Sequence, residues 1–220
     1  MKTVSRWLLL VLIPWIAFGV AVAGSFTEGK DYQKLKTQQA TGSGDSIEVV
    51  ELFWYGCPHC YHLEPFIHSW LKNKPDDVNF VRMPAIMGSG WELLAKAYYT
   101  AELLGVLDKA HGELFSAIHE KNKKIRDEKM LRDIFVKLGV SAEDFDKTIN
   151  SFAVVVKINN ARMMTRRYGL TGVPTIIVNG KYSTSASMAG SNKKLIDTIN
   201  YLVDEERKQT AAPVAKNAGK

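Results

Sequence analysis

Cysteine is nearly absent. The chain of 220 residues has two, Cys57 and Cys60, separated by only two positions. A fold stapled by disulfides needs several cysteines at wide spacing, and a bridge that closes so small a loop removes little unfolded-state entropy. The pair therefore reads as reactive instead of structural. A strong charge of either sign is also missing: 29 Lys and Arg stand against 23 Asp and Glu, a formal net charge of +6. The basic residues are scattered through helical patterns and form no stripe interleaved with aromatics, which excludes a nucleic-acid face. There is no internal repeat.

The N-terminus has the pattern of an export signal. Lys2 and Arg6 precede an uncharged stretch from Trp7 to Val20, and Ala21-Val22-Ala23 supplies a small-x-small cleavage pattern, so that the mature chain starts at Gly24. Trp7 to Ala23 is shorter than the ~20 apolar residues of a membrane-spanning helix and is interrupted by Pro14; an uncleaved anchor is the other reading. No cysteine lies beside the cleavage site, which excludes a lipid-modified N-terminus. Loss of residues 1–23 removes Lys2 and Arg6 and no acid, leaving +4. The destination is a periplasm or an equivalent oxidising space, where disulfides persist.

Residues 24–46 are polar, with Gly42-Ser43-Gly44 as a flexible lead-in and no strong periodicity. Ile47 to Tyr55 is a dense β-branched and aromatic run of strand length, and Val78 to Met83 is a second strand stopped by Pro84. Between them Leu63, Phe66, Ile67, Trp70 and Leu71 recur at helical spacing from Cys57 onward, with Pro65 predicting a kink. Helical patterns follow over 91–105, 107–119, 127–138, 141–150 and 151–168; Val154 to Val156 is their weakest stretch. Gly105, Gly139 and Gly169 supply stops, and Ser141 with Asp144 resembles a capping box. Val173 to Val178 is a strand, Asn179-Gly180 a hairpin turn, Lys181 to Ser183 the return strand and Asn192 to Lys208 a last helix, with disorder expected from Thr210.

A sulfur at Cys57 would stand at a helix N-terminus, where unpaired N–H groups and a partial positive charge favour the reactive thiolate. Cys60, one turn on, is placed to attack a mixed disulfide formed at Cys57. Pro58 sets the first helical dihedral without wasting a donor, and His59 can bond toward the thiolate. Glu51 alternates with Ile47, Val49, Phe53 and Tyr55, which puts a carboxylate on an apolar stripe below the motif; burial would raise its pKa and suit it to handling protons, whereas a strand edge would leave it exposed. The competing use of the CxxC pair is half a zinc site completed by His62 and His68. A c-type haem would need His directly after Cys60, where Tyr61 stands. His62, His68, His111 and His119 read as ordinary helix residues, and Trp91, Tyr98 and Tyr99 as core.

The run Glu51-Leu52-Phe53-Trp54-Tyr55-Gly56-Cys57-Pro58-His59-Cys60, with Gly172-Val173-Pro174 and Val178-Asn179-Gly180-Lys181-Tyr182, resembles the DsbA family of periplasmic dithiol oxidases. The resemblance implies an α/β thioredoxin-like fold with an inserted all-helical domain: 24–84 and 161–209 as the two thioredoxin-like parts, 85–160 as the insert, and 210–220 as a tail. It implies Cys57 and Cys60 as a redox-active disulfide with no bound cofactor and no metal. It makes Pro174 a cis-proline facing the motif, with Val173 offering backbone groups to an extended substrate peptide, and Glu51 a buried acid whose basic partner the sequence does not name, although Arg82 lies in the right strand. The family's own values, a thiolate pKa of ~3.5 and a potential of about −120 mV, come with the resemblance and not from these residues. The implied partners of this monomer are unfolded exported proteins with free thiols and a quinone-linked membrane oxidase of the DsbB type. The closest rival is an isomerase or reductase of the same chemistry, whose usual dimerisation domain cannot be built from 24–46; a zinc-binding or chaperone module is the rival from another class.

Overall fold

The computed structural model describes residues 26–211. The leader and its cleavage site, along with most of the expected tail, lie outside the described residues. In chain order the elements are β1 (Gln33–Lys34), β2 (Ile47–Phe53), α1 (Pro58–Leu71), β3 (Val78–Pro84), a 3-10 turn at Ser89–Trp91, α2 (Glu92–Leu103), α3 (Leu107–His119), α4 (Glu128–Lys137), α5 (Ala142–Ile149), α6 (Phe152–Arg167), β4 (Thr175–Val178), β5 (Tyr182–Thr184), α7 (Ala186–Ala189) and α8 (Asn192–Ala211).

The strands make one mixed sheet in the order β1-β5-β4-β2-β3. β2 is its centre, parallel to β3 and antiparallel to β4, and every residue of β2 is buried. The β-branched and apolar character of β2, broken only by the buried acids Glu48 and Glu51, follows from that, because both of its faces are covered. Ile47 and Val49 pack with Leu63, Ile67 and Trp70 of α1 and Leu195, Ile199 and Leu202 of α8. Val50 and Leu52 pack on the opposite face with Ala85, Tyr168 and Ile177. Phe53 and Tyr55, at the C-terminal end, enter a third cluster built from α2 to α6, with Leu114, Phe115, Leu131, Phe135 and Phe145 fully buried.

Several expectations needed correction. Residues 24–46 contain β1, which pairs with β5 through Gln33–Ser183 and Lys34–Tyr182; a two-residue polar strand has no hydrophobic period to find. The first long strand stops at Phe53, not Tyr55, because the chain turns there toward the cysteines. The return strand is Tyr182–Thr184, one residue later than expected, and α7 was not foreseen. The last helix includes Thr210 and Ala211, so disorder does not begin at Thr210. Val154 to Val156, the weakest of the helical patterns, is helical as expected, with Val154 buried and its two neighbours exposed. α6 runs through position 160 without a break.

The Asn179-Gly180 turn has both residues at positive φ, 50° and 62°. A Cβ on Gly180 would meet the Gln39 carbonyl oxygen at 2.1 Å, so glycine is required where the N-terminal segment crosses the hairpin.

Candidate active site

β2 delivers the motif to the edge of the sheet, and a tight turn hands it to α1. The Cys57 amide donates to the Trp54 carbonyl at 2.9 Å. Gly56 permits this turn: a Cβ there would lie 2.4 Å from the Trp54 ring, which stacks on Trp91 at 4.4 Å. Cys57 is the N-cap of α1, in extended conformation (φ −92°, ψ 117°), with no side-chain cap, and Pro58 takes the first turn. Its sulfur thus stands where the helix has free N–H groups. Pro65 lies inside α1 and removes one backbone donor.

The two thiols are unbonded in this structure and differ sharply in environment. Cys60 is fully buried and Cys57 is 9% exposed. Cys57 is lowered from 9.0 to about 6, chiefly by a hydrogen bond from the Cys60 thiol. Partial burial opposes the shift, and the backbone N–H groups of Cys60 and His59 and the charge of His59 assist it. Burial, followed by the Cys57 sulfur and the Glu51 carboxylate, pushes Cys60 far above the ordinary thiol range. One sulfur is held ready as thiolate while the other keeps its proton.

Opposite the helix start lies the loop before β4. Val173–Pro174 is a cis peptide bond, Pro174 is buried, and the Cys57 sulfur lies 3.4 Å from the Val173 carbonyl, a hydrogen bond that Cys57 donates in its thiol form and gives up on ionising. A groove of about 490 Å³ beside them is lined by His59, His62, Val173, Pro174, Ser187 and Asn192 among others. Size alone would mislead, since a cavity of about 620 Å³ lined by Ile86, Glu92, Arg162 and Arg166 contains neither cysteine. Among the described residues no cluster of three or more His, Cys, Asp or Glu could hold a metal ion.

Glu51 is completely buried. The parallel register sets it against Arg82, whose Nε donates to Glu51 Oε2 at 3.2 Å. Burial, with repulsion from Glu64, raises Glu51 to about 8 against the opposing Arg82 charge. Glu51 Oε1 has no hydrogen-bond partner.

Sequence reasoning missed the surroundings of this acid. Arg82 also donates to Glu64 Oε2 at 3.0 Å, and His111 from α3 lies 3.1 Å from Glu64 Oε1 and 2.9 Å from the Tyr55 hydroxyl. His111, expected to be an ordinary helix residue, is a buried member of the site. His119 likewise donates to the Tyr55 carbonyl at 2.7 Å and stacks on Tyr61. Glu64 was findable, since it stands one turn after Cys60 on the same helix. No local signal marks His111.

The DSBA-like thioredoxin domain family matches residues 48–195 of this chain. The chain belongs to the DsbA family. It is 40% identical over 207 residues to the thiol:disulfide interchange protein DsbA of Pseudomonas syringae pv. tomato, covering 94% of this chain and 96% of that protein. The corresponding figures for DsbA of Burkholderia cepacia are 32% identity, 93% and 97%. The crystal structure of Pseudomonas aeruginosa DsbA superposes with a TM-score of 0.81 at 39% identity, covering 84% of this chain and 96% of that one. DsbA from Xylella fastidiosa gives a TM-score of 0.78 at 32% identity, covering 83% and 98%. The thioredoxin-like DsbA fold and thiol-disulfide oxidoreductase chemistry at Cys57 and Cys60 follow from that membership.

Proposed function

We propose that this chain is the disulfide donor of an oxidising compartment, loading disulfides into exported proteins as they fold. The opposite displacement of the two thiols carries the reading. A client thiolate attacks Cys57 Sγ, the Cys57–Cys60 bond breaks, and a mixed disulfide forms on Cys57. A second client thiolate then attacks the client sulfur and expels Cys57 as thiolate. A thiol lowered to about 6 is a good leaving group near neutral pH, and attack on it is correspondingly reversible. Cys60, holding its proton, is a poor nucleophile toward the mixed disulfide, which gives the client time to finish.

The remaining assignments follow this chemistry. His59 and Pro58 shape the thiolate site, and Val173 with Pro174 presents backbone to an extended client beside the groove, a strand-like mode suited to many unfolded sequences. Glu51 supplies the proton that Cys60 takes as it leaves. Residues 1–23 act as a cleaved signal that sends the protein to the periplasm, 85–160 form the helical insert, and 24–84 with 161–209 form the thioredoxin-like part. The redox disulfide is the only cofactor required, and a DsbB-like quinone-linked membrane oxidase restores it to a monomeric protein.

Equilibration of the Cys57–Cys60 couple with glutathione tests the reading. A donor has a potential above the roughly −180 mV of disulfide isomerases; a value near the −270 mV of thioredoxin would make the chain a reductase.

A further inference from the structure

Two carboxylates, Glu51 and Glu64, share one guanidinium. Arg82 Nε bonds Glu51 and its terminal nitrogen bonds Glu64, so with both acids ionised the group carries an excess negative charge in a buried place. One proton relieves that, and the partners decide where it sits. Glu64 has a second donor. Its Oε1 faces His111 Nε2, and because a carboxylate only accepts, that nitrogen carries the hydrogen and His111 Nδ1 accepts from the Tyr55 hydroxyl. Glu51 has no second donor, and its Oε1 is buried without a partner.

Access to solvent is equally uneven. Side-chain exposure is 0% for Glu51 and 20% for both Glu64 and Arg82. A cleft of about 480 Å³ is lined by Glu64, Arg82 and His111, with His68, Tyr98 and Asp108 at its walls. The titratable and charged groups around the carboxylate pair are thus Cys60 and His68 of α1, Tyr55 after β2, Arg82 of β3, Tyr98 of α2, and Asp108 and His111 of α3.

We propose that His111 is a positioning residue that keeps Glu64 ionised and so confines the pair's single proton to Glu51, beneath Cys60, with the cleft as the route by which that proton is restored from solvent. This rests on the oxidase reading above. When a client thiolate attacks Cys57, the disulfide electron pair leaves with Cys60. Cys60 takes the proton of Glu51 and becomes a thiol. Glu51 is left as a carboxylate and regains a proton from bulk water at the Glu64 mouth of the cleft. The directions of titration agree. Burial acts to raise Glu64, but His111 and Arg82 outweigh it and the net shift is downward. Burial pushes His111 down against the pull of Glu64, which keeps the ring neutral and Nδ1 free to accept.

The test follows the side-chain carboxyl carbons of Glu51 and Glu64 by 13C NMR against pH in the mature protein, as wild type, His111→Gln, Glu64→Gln and the double variant. In His111→Gln the Glu64 midpoint should rise and the Glu51 midpoint fall by one unit or more, a tenfold loss of protonated Glu51. Glu64→Gln should also lower Glu51, and adding His111→Gln to it should shift Glu51 no further, because the histidine acts through Glu64. An unchanged Glu51 midpoint in His111→Gln overturns the proposal, as does an equal shift when Glu64 is already gone. If His111→Gln does not fold, Glu64→Gln alone decides, since an unmoved Glu51 there removes the shared-proton pair. In parallel, the rate of disulfide reduction by a cysteine-containing peptide is measured against pH, and its profile should move toward acid in His111→Gln by as much as the Glu51 midpoint. A peptide that forms no mixed disulfide with wild-type Cys57 overturns the oxidase reading, and the proposal built on it, whatever the carboxyl carbons report.

Discussion

Reduction of the disulfide should stabilise the fold, and the gain should grow with pH over a defined window. Cys57 is held at about 6 in the folded chain against 9.0 in the ordinary state. A group whose folded pKa is depressed contributes stability that is complete above its unfolded value and is lost as pH falls through its folded value. The reduced protein therefore gains between pH 6 and pH 9. A shift of that size is worth roughly 4 kcal/mol at ~1.36 kcal/mol per unit. Cys57 is 9% exposed at the molecule's surface, and screening there reduces this to about 2 kcal/mol. Cys60 has the opposite sign: it stays protonated when folded and ionises only when unfolded, so the gain shrinks above pH 9. The assay is urea unfolding of the oxidised and the fully reduced protein at half-unit steps from pH 5 to pH 10. The difference in unfolding free energy, reduced minus oxidised, should rise by about 2 kcal/mol from pH 5.5 to 8.5. A flat difference, or an oxidised form that gains as much as the reduced one, would refute the thiolate as the origin of the oxidising power.

Two local substitutions test the scaffold. Gly56→Ala drives a methyl group to 2.4 Å from the Trp54 ring, so it should cost about 1–3 kcal/mol and disturb the Trp54–Trp91 stack; a urea midpoint and tryptophan emission equal to wild type would contradict this. Asp127 caps α4 by accepting from the Met130 amide at 2.8 Å, and Asp127→Ala should lose about 1 kcal/mol and speed exchange of that amide, with the active-site titrations unmoved.

The parts of the molecule that were legible in sequence are those decided locally. The CPHC turn, the β2 run, the Asn179-Gly180 hairpin and the Ser141 cap each depend on a few adjacent residues. At Ser141 the resemblance to a capping box is only half reciprocal: the serine oxygen accepts from the Asp144 amide, while the Asp144 carboxylate accepts from the serine hydroxyl. Alternation put Glu51 on the apolar face of its strand but left an exposed strand edge open, and the family resemblance chose burial. Its partner was not legible, because the face of Arg82 depends on the parallel register that sets Glu51 opposite Arg82, a fact of pairing between strands. His111 was illegible for a stronger reason. It reaches Glu64 and Tyr55 only because α3 packs against α1 across the core, and nothing in its own helix distinguishes it from His68 or His119.

The order of strands in the sheet also bears on how the chain reaches its fold. β2 pairs on one side with β3, Ile47 against Val78, but on the other with β4, Val49 against Val178, and all of α2 to α6 lies between those two neighbours in sequence. β1 waits longer still, for Ser183. As the chain is made from its N-terminus, the central strand stays half-paired until almost the last segment is available, so the contacts that close the sheet are among the most distant in the molecule. Folding rates fall as such distant contacts come to dominate. Helices α2 to α5 pack largely on one another and can gather early, with the exposed side of β2 as the surface most in need of protection until β4 arrives. A ribosome-arrested chain ending before Thr175 should accordingly be helical but open to protease at β2.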